Sequence, residues 1–303
     1  MTNNTQSSVP AKRSFLATIF ISPSEPRLRA GWRLLIQTIL LIILSALAGL
    51  IFYFISPSLI LSSSLLIGEL AELFAFVGSI YIARRFLDKR SFVSIGLKID
   101  KHILFDILAG IIITFIMMGA IFIAMQALGW LKFESFAWDT DPAQTVVSQV
   151  LLFFIIFILV GFNEEFLFRG YHLQTITSGL NLFWGLFISS IIFGGLHLGN
   201  PNATWVSAAG IFFAGLFLAY GYIRTQQLWL SIGLHLGWNF FEGVVFGFPV
   251  SGLSIYPLMH IKVSGPVVWT GGAFGPEAGL VILPALALGA ILINLYTRSR
   301  LDS

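Results

Sequence analysis

The chain contains no cysteine, which excludes disulfides, thiolate metal sites and a cysteine nucleophile. It is also poor in charge. Of its 303 residues 10% are Asp, Glu, Lys or Arg, while 57% are hydrophobic and the mean hydropathy is +0.90. A soluble globule carries about a quarter charged residues, so that class is excluded. Familiar active-site patterns are missing as well: there is no HExxH, no glycine-rich phosphate loop and no serine in a nucleophile turn. The formal charge of +3 comes without a basic face interleaved with aromatics, so no nucleic-acid partner is expected. The polar N-terminal tail holds only a short apolar patch at Phe15–Ile21, broken by Pro23. No small-x-small cleavage site follows it, so it reads as a cytoplasmic tail and not a signal peptide. No internal repeat is evident.

What is present is a series of apolar runs of about twenty residues, each able to cross a hydrocarbon core of roughly 30 Å as a helix. The expected fold class is therefore all-α, a polytopic integral membrane protein with about eight transmembrane helices. The runs are 34–55, 59–83, 104–128, 146–176, 182–198, 204–223, 228–248 and 279–297. They divide the chain into a tail (1–33), three N-terminal helices (34–145), a core (146–250), and an outer loop with the last helix (251–303). With both termini inside, all of the 17 basic residues except Lys132 and Lys262 fall on the cytoplasmic side, as topology requires. The outer connection 249–278, rich in Gly and Pro, is either a solvated link or a functional segment.

Ionisable groups inside spans are functional candidates by default. Here they are Glu69, Glu72, Glu164, Glu165, Arg169, His197, His235 and Glu242, with the amide of Asn239. On a helix Glu165 and Arg169 are i and i+4, acid before base, and can neutralise each other. Glu164 lies roughly 140° around from Arg169 and stays available. A turn near Ser178–Asn181 would return the next helix antiparallel, bringing His197 to the depth of Glu164. His235, Asn239 and Glu242 form one polar stripe that should face the bundle interior, although His235 counts as shallower than His197. A carboxylate, two imidazoles and an amide suit activation of water and stabilisation of an oxyanion. The same trio of Glu164, His197 and His235 could instead ligate a divalent metal such as zinc, with one position open.

Three stretches in order carry a resemblance. "EEFLFR" (164–169) resembles an EExxxR motif, "FGGLH" (193–197) an FxxxH motif and "HLGWN" (235–239) an HxxxN motif. Together they resemble the CPBP family of CAAX-processing type II proteases and bacteriocin-processing relatives. The resemblance implies an intramembrane endopeptidase acting on membrane-associated or lipid-modified peptides, in a bacterial cytoplasmic membrane. It implies that Glu164 activates water with His197, that Glu165 and Arg169 hold the geometry, and that His235 and Asn239 bind the oxyanion or help hold an ion. The family's mechanism has been described both as metal-dependent and as glutamate-based.

Competing readings are a proton-coupled transporter using Glu69, Glu72, Glu164 and Glu242, and a non-catalytic immunity or scaffold protein. An interhelical polar clamp is the structural alternative for Glu164, Glu165 and Arg169. Helix–helix hydrogen bonding is the alternative for Asn239. His102, His172 and His260 are read as interfacial or loop residues, Glu242 as structural support.

Overall fold

The structure is a computed structural model that describes residues 14–55 and 64–301. Residues 1–13 of the expected tail and 59–63 of the second expected span lie outside the described residues. After a short helix α1 (Phe15–Phe20) come α2 (Ala30–Ile55) and α3 (Ser64–Ile82). α4 (Ile103–Ala127) ends at strand β1 (Leu131–Phe136). α5 (Ala143–Glu165) runs on through a π-helical stretch, Phe166–His172, into α6 (Leu173–Gly179). α7 (Leu182–Leu196), α8 (Trp205–Thr225) and α9 (Trp229–Asn239) follow, α9 passing into another π-helical stretch, Phe240–Val245. Strand β2 (Met259–Val263), the single turn α10 (Val267–Thr270) and α11 (Ile282–Leu301) complete the order.

The protein is all-α apart from one two-stranded ribbon. Among the described residues six helices are long and apolar enough to cross a membrane, and Ile282–Arg298 is a shorter apolar helix. The expected span 228–248 is helical over α9 and the π-helical stretch that continues it, but does not belong to the six. Large apolar side chains such as Ile42, Leu50 and Ile123 remain exposed, as a helix bundle in lipid requires.

α9 is the centre of the bundle. Leu230 through Asn239 are all buried, and α9 packs chiefly on α4, then on α5 and α8. Small residues permit this closeness. A methyl at Gly110 would sit 2.4 Å from the Leu234 amide nitrogen, and one at Gly233 would sit 2.4 Å from the Ile107 carbonyl oxygen. Backbone therefore meets backbone where α4 and α9 cross, the association that small residues favour in membranes.

The outer connections are more ordered than a solvated link. β1 and β2 pair antiparallel, with Leu131 opposite Val263 and Phe136 opposite Met259, and an irregularity between Phe133 and Ser135. The all-helical expectation missed this ribbon. Segment 249–278 packs inward, burying Thr270, Phe274, Pro276 and Glu277. At the opposite end Asp88 is fully buried and forms ion pairs with Arg33 and, at 3.2 Å, Arg84. Arg33 also donates to Ser178 Oγ at 2.8 Å. Basic residues that read as topology signals thus also join α2, α3 and α6. His172, expected near an interface, is buried instead, with its Nε2 3.4 Å from Gln37 Oε1.

Candidate active site

Glu164 and Glu165 are the last residues of α5 before the helix widens. π-helical stretches occur frequently at functional sites; of three among the described residues, one follows Glu165 directly, one follows Asn239, and the third, Ala83–Leu87, lies away from the cavity. Arg169 donates from Nη1 to Glu165 Oε1 at 2.8 Å and from Nη2 to the Gly215 carbonyl at 3.0 Å. The expected i,i+4 pair is present, and it is buried. Glu165 does more than neutralise Arg169, because the same Oε1 also accepts from His235 Nδ1 at 2.9 Å. That contact brings α9 to α5 and removes the mismatch in depth expected for His235.

Glu164 is directed elsewhere, as its position on the helix implied. Its Oε2 lies 3.7 Å from His235 Nε2, longer than a direct hydrogen bond, and has no hydrogen-bond partner among the described residues. His197 begins the 3-10 turn that ends α7. Its Nδ1 donates to the Phe193 carbonyl at 2.8 Å, since only a protonated nitrogen can face a carbonyl oxygen. In the neutral ring this leaves the Nε2 lone pair free to accept a proton. For His235 the Glu165 contact similarly assigns the proton to Nδ1.

Phe193, the first residue of "FGGLH", was not singled out in the sequence. The Arg169 guanidinium lies 4.4 Å from its ring centroid. The His197 ring is 4.8 Å away edge-on, and the His235 ring is 6.2 Å away at a right angle. One aromatic side chain therefore packs against three of the candidate groups. Its spacing from His197 was the available signal.

Glu164, His197, His235 and Asn239 line one cavity of about 340 Å³. Its walls are mostly apolar, with Phe157, Phe168, Phe217 and Trp238 among them. Glu69 and Glu72 of α3 also reach it. Glu69 is held by Asn163, whose Nδ2 donates to its backbone oxygen at 3.0 Å and to Oε2 at 3.1 Å. Glu242 is fully buried, and neither carboxyl oxygen has a hydrogen-bond partner among the described residues; His235 turns to Glu165 instead.

Sequence reasoning missed one further carboxyl of the cavity, Glu277, which arrives from the outer segment. Burial raises the Glu277 carboxyl above the usual carboxylate range, and hydrogen bonds from Ser251 lower it only in part. As to a metal, no group of three or more His, Asp or Glu side chains among the described residues could hold an ion.

Residues 146–241 match the family described as type II CAAX prenyl endopeptidase Rce1-like. A Bacillus subtilis (strain 168) protein named "Putative membrane peptidase YdiL" is 33% identical over 104 residues, which is 34% of this chain and 41% of that one. An Escherichia coli protein named "Uncharacterized 24.3 kDa protein" is 30% identical over 118 residues, 38% of this chain and 53% of that one. The chain thus spans about half the length of these relatives.

Proposed function

We infer from a motif-bearing core that belongs to the CPBP family that this integral membrane protein is an endopeptidase working within the bilayer. It hydrolyses peptide bonds in membrane-associated or lipid-modified peptides. The observation that carries this reading is the convergence of Glu164, His197, His235 and Asn239, from three separate helices, on one cavity walled by apolar side chains. Such groups are costly in lipid and are retained there mainly for function.

Water is the nucleophile. Glu164, with a carboxyl oxygen free of protein donors, takes its proton, assisted by the Nε2 lone pair of His197. The hydroxide adds to the scissile carbonyl, and negative charge moves to the carbonyl oxygen. Asn239 and the Nε2–H of a protonated His235 stabilise that oxyanion. Collapse breaks the C–N bond, and the proton held by Glu164 passes to the leaving amine. Glu165 orients His235 while Arg169 balances its charge. Both termini are cytoplasmic, and the membrane is the bacterial cytoplasmic membrane.

Purified protein should cleave members of a hydrophobic and prenylated peptide library. Glu164→Gln, His197→Ala and His235→Ala should each lose at least about 100-fold in kcat, the scale of general acid–base catalysis. Wild-type turnover by Glu164→Gln would overturn the water-activation role. Chelator is added in parallel, and loss of activity restored by zinc would assign an ion to the reaction. Proton flux into liposomes that depends on Glu69 or Glu72 would instead favour a carrier.

A further inference from the structure

The proposed mechanism uses nothing from the outer segment 249–278, yet that segment reaches the cavity with a carboxylate. Glu277 is 4% exposed. Its Oε1 accepts from the indole Nε1 of Trp238 at 3.1 Å, and its Oε2 accepts from both the backbone N–H and the hydroxyl of Ser251, each at 2.7 Å. Trp238 is the residue immediately before Asn239 and three after His235, so one arm of this network ends on the helix that carries both.

The other arm ends beside His197. The Ser251 carbonyl accepts from Asn200 Nδ2 at 3.0 Å, three residues beyond His197. Gly252 follows with φ of +85°, and a methyl there would lie 1.9 Å from the Pro201 carbonyl oxygen. Its N–H donates to the Phe274 carbonyl at 2.8 Å. The outer segment is thereby seated directly on the turn that follows α7. This turn needs such support, because His197 sits at a helix terminus, where backbone order is weakest.

We propose that Ser251 and Glu277 form a positioning hub that fixes His197 relative to His235 and Asn239 through Asn200 on one side and Trp238 on the other. Glu277 acts as a positioning residue and touches no reacting atom. The catalytic consequence rests on the endopeptidase reading; the tether itself does not. A displacement of about 1 Å at a catalytic group can cost on the order of 100-fold in rate, so loosening the hub lowers kcat more than it weakens substrate binding. Glu277→Gln places an amide NH₂ against one set of donors and breaks one arm, while Glu277→Ala removes both.

Two measurements test the hub. In peptide cleavage, Glu277→Gln and Ser251→Ala should lower kcat by about 10–100-fold with KM changed less than about twofold. Trp238→Phe should add little to Glu277→Gln, because both cut the same arm. The second measurement does not need activity. Since the chain has no cysteine, nitroxides can be placed on Gly199→Cys and Val268→Cys, both exposed positions, and their distance distribution read by pulsed electron spin resonance. It should be narrow with Glu277 in place and broaden in Glu277→Ala, or in Glu277→Gln if the alanine variant does not purify folded. Wild-type kcat in Glu277→Gln, or an unchanged distribution, overturns the proposal. If the wild type cleaves no peptide, the endopeptidase reading falls and the distance distribution alone decides the hub.

Discussion

Glu165 is the residue on which the charge arrangement turns. One carboxyl oxygen takes hydrogen bonds from Arg169 and His235, so it both neutralises a buried guanidinium and orients an imidazole ring. Glu165→Gln is nearly isosteric but offers a donor where an acceptor is required. It should lower kcat by about 100-fold or more while leaving KM close to wild type, because the lost contact orients a group that acts in the transition state. Glu165→Ala is a different experiment. It leaves Arg169 buried and unpaired, a loss of roughly 3–5 kcal/mol, and should appear as a lowered unfolding midpoint in detergent and poor accumulation. Comparing the two variants separates orientation of the His235 ring from charge balance.

At the scale of elements, the site depends on helices that approach more closely than side chains normally allow. α9 is surrounded by α4, α5 and α8, and Gly233 faces the Ile107 backbone with no room for a methyl. Gly233→Val must push α4 and α9 apart, and overpacking of this kind costs about 1–3 kcal/mol. Gly49→Ala in α2 meets no atom within 4 Å and should shift the unfolding midpoint little or upward. Thermal unfolding of the two variants in the same detergent checks the contrast. The widened helical stretches 166–172 and 240–245 belong to this scale too. Each begins where a functional residue ends a regular helix, so backbone geometry changes beside the chemistry.

The whole molecule places this cavity between two differently built faces. One face is cross-linked by buried Asp88 with Arg33 and Arg84. The other is covered by a segment joined to β1 through β2 and to α9 through Glu277. Of the basic residues used to orient the chain, Arg27, Arg33 and Arg84 gather at Asp88, while Lys132 and Lys262 are opposite each other in the β-ribbon. A reporter fused after Ser303 should therefore give a cytoplasmic signal; an external signal would overturn the orientation and the even span count.

The apolar runs, the scarcity of charge and the i,i+4 spacing of Glu165 and Arg169 were sufficient to give an all-helical membrane architecture and an intramembrane carboxylate cluster. Those features are local: helix period, span length and burial cost act over a few turns. Tertiary structure alone decided that His235 bonds to Glu165, that the Phe193 ring packs against both Arg169 and His235, and that Glu277 returns from the outer segment to the cavity. His235 and Glu165 are 70 residues apart, Phe193 and Arg169 24, and Glu277 and Trp238 39, and nothing in the intervening chain encodes these meetings. The physical reason is that hydropathy assigns a segment to lipid, whereas the rotation and crossing of helices there are set by packing against neighbours.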